Sequence, residues 1–383
     1  MVRIAIPLIG GNQWQGGRNY MINLLQVLKE LGSGQVEPIL FLGEEDDVDN
    51  DLPSIGDVHI VRNNAFDLTE KQGRLAKSLI AGVDSKAAHL FKQHGIDCAF
   101  ETAQFYGWRF PVPVLAWIPD FQHRHMPHLF STAAWWKRDL GFQAQVASGR
   151  HIMLSSEDAR KDCEHFYPRS KGRTSVVRFA TQLPTPAHPD LVATTRRKYG
   201  LPLNYIFLPN QFWTHKNHEV VIRALAILKA KGVAMCVAAT GHTHDPRAPL
   251  HFDRLQKLNH ENGLEDYFRI LGSIAFGDVQ ALMQGCSALI NPSYFEGWST
   301  TVEEAKACGV PLILSDLDVH REQALDKALY FDPDRPDQLA NIIQNYSATE
   351  RLQKSSLDAL VRQRRTSFVN AFESAVFKAV GQY

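Results

Sequence analysis

This sequence lacks an excess of charge of either sign. Among 383 residues, 41 lysines and arginines balance 41 aspartates and glutamates, so we expect no field that attracts nucleic acid or an anionic membrane. The five cysteines show no metal-site spacing, which fits reduced thiols in a cytoplasm. No segment reaches the roughly 20 apolar residues of a membrane span, and the apolar start is too short for a signal peptide. We therefore expect a cytoplasmic protein that touches the inner membrane face peripherally at most.

Short apolar runs alternate with helix-period runs along a chain that is too long for one ordinary core. Uninterrupted Val, Ile and Leu runs crossed by helices predict parallel sheets buried on both faces, and hence an α/β fold. The predicted strands are VRIAIPLI, VEPILFLG, VHIVRN, IDCAFET, PVLAWIPD, RHIMLSS, SVVRFA, NYIFLPN, GVAMCVAATG, YFRILGSI, CSALINPS, VPLILSD and ALYFDP.

The domain linker is predicted in the proline-rich stretch from Ala180 to Leu191, which has no apolar period. The first domain is predicted over residues 1–183 and the second over residues 184–364. The last helix carries an apolar stripe, so residues 365–383 are predicted to pack back on the first domain. Two such domains would leave a cleft at the C-terminal edges of their sheets, where open α/β sheets bind ligands.

Two carboxylates flank a short polar loop in the second half. Glu296 and Glu304 stand on either side of Gly-Trp-Ser-Thr-Thr, and a helix is predicted to begin among the hydroxyls of residues 299–301. A capping box that uses Glu303 or Glu304 explains one of the glutamates. The alternative is a ligand site, in which the helix-start N–H groups bind an anion and a carboxylate one turn in accepts bonds from ribose hydroxyls.

A lysine stands at the predicted start of another helix. Lys216, with His215 beside it, is disfavoured there by the positive end of the helix macrodipole. Two interpretations remain open. Lys216 is either a solvated lysine that loses little, or a lysine that binds the same phosphate as the helix amides.

Glycines bracket the loop after the first strand. Gly10–Gly11 and Gly16–Gly17 precede a predicted helix, and glycines let a backbone approach a phosphate closely. Their spacing matches neither G-x-G-x-x-G nor G-x-x-x-x-G-K-[ST], so the signal is weak by itself.

Histidines crowd the exit of a strand in the first half. His123, His125 and His128 follow Asp120. Metal ligation, hydrogen bonding to sugar hydroxyls and surface exposure all fit this pattern, although no cysteine nearby strengthens the metal interpretation. The run WWKRDLGF that follows mixes aromatic and cationic residues. We favour core packing of its tryptophans over contact with an acceptor or a membrane surface.

The stretch PSYFEGWSTTVEEAKACGVPLILSD resembles the signature of the retaining family 4 (group 1) glycosyltransferases, E-G-F-G-x-x-x-x-E-A-x-A-x-G-x-P-V-I-x-S. WTHKNHEVVIRAL resembles the family's phosphate-lysine segment, and SSEDARKDC resembles its post-strand serine segment. The second half resembles the family nearly end to end, and the first half mainly in layout. The residues in register with the signature are Glu296, Gly297, Glu304, Ala305, Ala307, Gly309 and Pro311.

The resemblance implies a GT-B fold of two Rossmann-like domains facing a central cleft, with the donor held mostly by the second. It implies Lys216 and Glu296 as catalytic residues that meet the diphosphate and the transferred sugar. It also implies Glu304 as the partner of the ribose hydroxyls, and no required metal or cofactor. The other implied donor contacts are Gly16, Gly17, Gln211, Gly272, Ile274, Gly297, Trp298, Ser299 and Thr300.

Two positions depart from the family pattern. The arginine that usually stands five residues before the lysine is Gln211 here. The usual strand-end histidine is replaced by Pro119, with Asp120 next. His123 and His125 are the candidates to take the place of that histidine near the sugar or acceptor.

The implied activity is metal-independent transfer, with retention, of a hexose from a nucleoside diphosphate sugar. The expected partners are this donor and a glycan or lipid-linked acceptor of polysaccharide assembly, without nucleic acid. A UDP-sugar is favoured as the donor, and GDP-mannose comes next. Two rivals stay open: a sugar-nucleotide epimerase of the same fold, and a catalytically silent nucleotide-sugar-binding subunit.

Overall fold

The chain divides into two compact units. One consists of Met1–Ala180 with Arg362–Tyr383, and the other of Thr181–Val361. The first boundary falls at the start of the proline-rich stretch, and the return to the first unit comes three residues before the predicted position 365. The computed structural model describes residues 1–8, 15–44, 46, 58–67, 78–102, 104–182, 184, 187–346 and 354–381.

The first unit is built on a parallel sheet of seven strands: β1 Val2–Pro7, β2 Val36–Leu42, β3 His59–Arg62, β4 Cys98–Thr102, β5 Val114–Ile118, β6 His151–Leu154 and β7 Thr174–Val176. Their order across the sheet is β3-β2-β1-β4-β5-β6-β7. The helices of this unit within the described residues include α1 Gln15–Leu31, α2 Ser85–Gln93, α3 Gln122–His125, α4 Thr132–Ala147 and α5 Glu157–Phe166.

The second unit repeats the plan with a parallel sheet of six strands: β8 Tyr205–Leu208, β9 Cys236–Thr240, β10 Phe268–Gly272, β11 Ala288–Asn291, β12 Leu312–Ser315 and β13 Ala328–Phe331. Their order is β10-β9-β8-β11-β12-β13, the doubly wound arrangement of Rossmann-like domains. Its helices are α6 Pro189–Lys198, α7 His218–Ala230, α8 His251–Glu261, α9 Phe276–Gly285, α10 Thr300–Ala307, α11 Asp318–Ala324 and α12 Pro336–Asn345.

Both faces of the second sheet are covered by apolar side chains. Along β8, Ile206 and Leu208 join one core cluster, whereas Tyr205 and Phe207 join the other. This alternation follows from the two-residue period of a strand. It explains why β8 is buried along its whole length and why such strands were recognisable in the sequence as short apolar runs. Twelve of the thirteen predicted strand segments contain a strand of the structure, and β7 begins one residue before the predicted segment SVVRFA and overlaps its first two residues.

The last helix, α13 Lys354–Ala379, begins in the second unit and continues into the first. Phe368 packs against Tyr20 and Phe179, with ring centroids 5.8 and 5.7 Å away. Phe372 packs against Phe100 at 5.8 Å. The apolar stripe therefore closes over the core of the first unit. Across the described ranges, every helix is too short or too polar to span a bilayer.

Candidate functional site

The strand order of the second sheet indicates where its ligands bind. The order reverses between β8 and β11, and doubly wound sheets bind ligands at the C-terminal ends of strands at such a switch point. The two strand exits meet through side chains, since Asn210 Nδ2 donates to Asn291 Oδ1 at 3.1 Å. The loops that leave them carry Lys216 and Glu296. The candidate site is therefore formed by the loops of residues 209–217 and 292–299.

Lys216 and Glu296 form an ion pair at this switch point. Nζ of Lys216 lies 2.6 Å from Oε1 of Glu296, and the two side chains are only 14% and 9% exposed. Lys216 ends a short 3-10 turn, and Asn217 follows at φ 50 and caps α7 with its side chain. A carboxylate of the protein thus offsets the unfavourable position of the lysine near a helix start. The Lys216 side chain is therefore largely shielded from solvent and paired within the protein.

The two carboxylate oxygens of Glu296 have different surroundings. Oε1 accepts hydrogen bonds from Lys216, from Asn291 Nδ2 at 3.2 Å and from Ser293 Oγ at 2.7 Å. Within the described part of the chain, Oε2 has no hydrogen-bond donor. Burial raises the pKa of Glu296, but the charge of Lys216 and the hydrogen bonds from Lys216 and Ser293 oppose it, and the pKa is about 2. Glu296 is therefore ionised and keeps one oxygen for a ligand.

The helix after the Glu296 loop begins at a firmly held cap. Ser299 is the N-cap of α10, and its Oγ accepts from Asn291 Nδ2 at 2.8 Å. Gln323 accepts the N–H of Ser299 at 3.3 Å and donates to its carbonyl at 2.7 Å. The first-turn N–H groups of Thr300 and Thr301 make no hydrogen bond among the described residues. Such N–H groups at a helix start can bind an anion.

Glu303 and Glu304 differ sharply although they are neighbours. Glu303 is buried and accepts from Lys306 at 2.7 Å and from Gln323 at 2.9 Å, so it does not close a capping box. Glu304 is partly exposed and pairs with no described residue, so the other predicted capping box is also absent. Burial raises the pKa of Glu304 to about 7. An unpaired carboxylate one helical turn in is well suited to accept ribose hydroxyls.

Other predicted donor contacts lie on the exits of β8 and β10. Gln211 Oε1 accepts from the backbone N–H of His242 at 2.5 Å, so it ties the β8 and β9 loops together. Gly272 has φ 66 and accepts from Gly241 N at 3.0 Å. Ile274 packs its side chain on the core, which leaves its backbone for a ligand. Gly297 and Trp298 lie partly exposed in the loop before the α10 cap.

The sequence analysis missed the polar residues that hold this site together. Asn210, Asn291 and Ser315 each stand at or just beyond the end of an apolar strand, and all three are buried. A buried polar group needs partners, so a polar residue closing an apolar strand was the available signal. The buried polar side chains around this site include Asn210, Asn291, Ser293, Ser315, His320 and Gln323.

The candidates of the first domain are engaged in ion pairs. Asp120 Oδ1 lies 2.6 Å from Arg138 Nη2, and His125 Nε2 lies 2.6 Å from Asp162 Oδ2. The bond to Asp162 raises the pKa of His125. Within the described ranges, no group of three or more His, Cys, Asp or Glu side chains is arranged to hold a metal ion.

His123 is enclosed in the first domain. Its side chain is fully buried, and Nε2 lies 3.3 Å from Asp139 Oδ1. In this conformation the ring offers no surface to a sugar hydroxyl. Trp135 Nε1 donates to the His123 carbonyl at 2.7 Å, but Trp136 is 51% exposed. The predicted core packing is therefore wrong for Trp136, because α4 turns that side of the helix to solvent.

The glycines after the first strand are placed differently from the prediction. Gly16 and Gly17 belong to the first turn of α1, which begins at Gln15, so they lie in the helix and not in the loop before it. Gly17 is buried. The predicted loop glycines Gly10–Gly11 lie outside the described residues.

Comparison with protein families covers the second domain. Residues 193–357, which include Lys216, Glu296 and Glu304, match the family model described as glycosyl transferases group 1. The second domain is similar to this family.

Curated relatives carry glycosyltransferase names. The O-antigen chain mannosyltransferase RfbU of Salmonella typhimurium is 28% identical over 142 residues, 37% of this chain and 38% of that protein. The D-inositol 3-phosphate glycosyltransferase of Corynebacterium aurimucosum is 25% identical over 244 residues, 57% of this chain and 56% of that protein. The chain thus spans 38% and 56% of the lengths of these two relatives.

Solved structures match along the whole chain. A glycosyltransferase from Rickettsia africae ESF-5 has a TM-score of 0.67 at 16% identity, covering 100% of this chain and 97% of that one. Anabaena Alr3699/HepE in complex with UDP and glucose has a TM-score of 0.66 at 15% identity, covering 100% and 98%. At such identity the likeness shows the fold. Together with two parallel-sheet α/β units, it shows that the chain has the GT-B fold.

Proposed function

We propose that this chain is a retaining family 4 glycosyltransferase that moves a hexose from a nucleoside diphosphate sugar to a glycan or lipid-linked acceptor. The observation that carries the proposal is the buried Lys216–Glu296 pair at the switch point of the second sheet, inside the family match. The names of relatives support it, since RfbU is named as a mannosyltransferase and the HepE structure holds UDP and glucose.

Lys216 and the start of α10 supply the positive potential that the reaction needs. As the bond between the anomeric carbon and the diphosphate oxygen breaks, its electron pair moves to that oxygen. The Lys216 ammonium and the N–H groups of Thr300 and Thr301 stabilise this charge. The acceptor oxygen bonds to the anomeric carbon on the same face, and its proton goes to the departing phosphate oxygen. In this scheme no metal ion or cofactor is required.

Glu296 orients the sugar in this scheme. Three donors fix Oε1, and Oε2 is left to accept a hydroxyl of the hexose. With a pKa of about 2, the carboxylate stays ionised and can only accept hydrogen bonds. Retaining glycosidases instead place two carboxyl groups about 5–5.5 Å apart for nucleophilic attack. The Glu296 carboxylate is instead fixed by its ion pair with Lys216, so orientation suits it better than attack.

Glu304 binds the ribose of the donor in this proposal. The carboxylate has no protein partner in the described part of the chain, and its pKa of about 7 reflects burial without compensation. Two vicinal hydroxyls would supply the missing hydrogen bonds and favour the ionised form.

A UDP-sugar is the first choice of donor, because the HepE structure, a complex with UDP and glucose, matches this chain along its whole length. GDP-mannose is the second, because RfbU is named as a mannosyltransferase. The proposed setting is the cytoplasm, with at most peripheral contact with the inner membrane face.

A thermal-shift screen with UDP, GDP, ADP and TDP and their sugars tests the donor assignment. We expect one nucleotide family to raise Tm, and its sugar to be consumed when a suitable acceptor glycan is added. Absence of a shift with every nucleotide would refute the proposal. Conversion of the sugar nucleotide without acceptor would favour an epimerase. Tight nucleotide binding without turnover on any acceptor would favour a silent binding subunit.

A further inference from the structure

One buried group near the Lys216–Glu296 pair lacks a partner. His320, on α11, is fully buried, and its Nε2 has no hydrogen-bond partner among the described residues. Its Nδ1 lies 2.9 Å from the backbone carbonyl of Ser315. A carbonyl only accepts, so Nδ1 must carry the proton and Nε2 of the neutral ring must hold an unused lone pair. A buried acceptor left unsatisfied is uncommon and calls for an explanation.

Hydrogen bonds connect His320 to the proposed catalytic pair. Ser315, which holds Nδ1, donates from its Oγ to the carbonyl of Ser293 at 2.6 Å. Ser293 in turn donates from its own Oγ to Glu296 Oε1 at 2.7 Å. The imidazole, the two serines, the carboxylate and the lysine therefore form one continuous buried network.

The charges around the imidazole come from the two site loops. Burial lowers the pKa of His320, while Glu296 and the Ser315 carbonyl act to raise it and Lys216 acts to lower it. From β13, Tyr330 OH donates to the backbone carbonyls of Leu325, at 2.5 Å, and of His320, at 3.4 Å, and no hydrogen bond joins it to the imidazole among the described residues. In the resting structure Glu296 and Lys216 cancel each other, so a neutral imidazole suits the network.

Binding of a diphosphate would upset this balance. Lys216 would be shared with the phosphates, and the buried Glu296 carboxylate would face added negative charge. A neighbouring base with an unused lone pair can correct this by taking a proton from solvent. We propose that His320 is a positioning residue that becomes protonated at Nε2 when the donor diphosphate binds, so that Glu296 stays ionised and in place while Lys216 turns to the phosphates. This inference rests on the proposed function, since it assumes phosphate binding beside Lys216.

The test compares His320→Asn with the wild type. The asparagine amide can keep the donor to the Ser315 carbonyl but offers no base at the Nε2 position. Titration calorimetry with UDP, and separately with GDP, is run at about pH 6.5 in buffers of small and large ionisation enthalpy. The wild type is expected to take up about 0.3–0.8 more protons per bound nucleotide than the variant, and to bind about 3- to 10-fold more tightly at this pH.

Two controls separate this effect from others. Uridine carries the ribose without phosphates, so it reports proton exchange at Glu304 alone and should show no difference between wild type and variant. His123→Asn alters another fully buried histidine with an unpartnered ring nitrogen, in the first domain, and should leave proton uptake unchanged.

The outcomes decide the inference in each case. Equal proton uptake in wild type and His320→Asn would overturn it while leaving the proposed function intact. Absence of binding by any nucleoside diphosphate would overturn both. Should the variant fail to fold, nitrogen-15 NMR of the wild-type histidines decides the matter. The His320 signals should change from a neutral to a charged ring when UDP or GDP saturates the protein, and an unchanged neutral ring would refute the assignment.

Discussion

The strand exits of the two domains carry similar residue types, but these residues are occupied differently. At the exit of β5, Asp120 and His125 each complete an ion pair with a neighbouring side chain of their own domain. At the exit of β11, Glu296 keeps one oxygen without a partner, and Glu304 on the following helix has no partner among the described residues. Acid-rich and histidine-rich strand exits therefore do not all serve the same purpose.

The comparison shows how a ligand site is distinguished from a structural network. A polar group whose hydrogen-bonding capacity is filled by the protein stabilises the fold and gains little from a ligand. A buried group held in place but left unfilled is costly unless a ligand completes it. By this criterion we place the proposed donor site in the second domain, and the described candidates of the first domain are structural in this conformation.

Lys216→Ala should have the largest effect on activity and on stability. It should lower kcat/KM about 10²- to 10³-fold, because a charge aimed at the leaving group is lost. It should also lower the free energy of unfolding by about 3–5 kcal/mol, because Glu296 stays buried without its partner. Binding of UDP should weaken far more than binding of uridine, as measured by calorimetry.

Lys306→Ala is the matched control for this substitution. Lys306 is similarly shielded and pairs with Glu303 at 2.7 Å in the same domain. Its loss should destabilise the fold without changing the ratio of UDP to uridine affinity. Equal losses of UDP and uridine binding in Lys216→Ala would contradict the phosphate assignment.

Glu296→Ala should have the second-largest effect. Transfer should fall about 100-fold or more, because the hexose is no longer oriented. The affinity for UDP should stay the same or rise, because the carboxylate that competes with phosphate for Lys216 has gone. Initial rates and calorimetric Kd values measure the two effects, and an unchanged turnover number would rule out the assigned role.

Glu304→Gln should give a smaller, pH-dependent effect. The pKa of Glu304 in the folded chain is about 7, above the unfolded value near 4.3. The folded state therefore binds more protons between these values, and wild-type stability falls as pH rises through this window. Glutamine does not titrate, so the variant should gain roughly 1–3 kcal/mol relative to wild type at pH 8 but little at pH 4. A Tm difference that is equal at both pH values would contradict this.

Asp120→Asn should give the smallest effect on the donor. Asp120 is paired with Arg138 in the first domain. Loss of the Asp120 charge should therefore change the Kd for UDP by less than about twofold, a free-energy change as small as that of a surface ion pair. A tenfold loss of UDP affinity would mean that Asp120 of the first domain takes part in donor binding.

The strands and helices could be predicted because their signals are local. A parallel strand buried on both faces must be apolar at successive positions, as β8 and β11 are, and Gly309 at φ 65 ends α10 where a left-handed residue is needed. The Lys216–Glu296 contact had no such local signal, because 80 residues separate the two side chains and only the strand order brings them together. The sequence also left the N-cap residue of α10 undecided. Ser299 is held in that position by hydrogen bonds with Asn291 and Gln323, which lie outside the helix.

Local sequence patterns specified the type and order of the elements, the two α/β domains and the candidate residues for phosphate binding, because burial period, caps and breakers act over a few residues. The tertiary structure selected which polar groups satisfy one another. It closed Asp120 and His123 into the first domain, paired Lys216 with Glu296, and left Glu304 and His320 Nε2 without protein partners in the described chain. Such pairing depends on distances between segments remote in sequence, which no local pattern encodes.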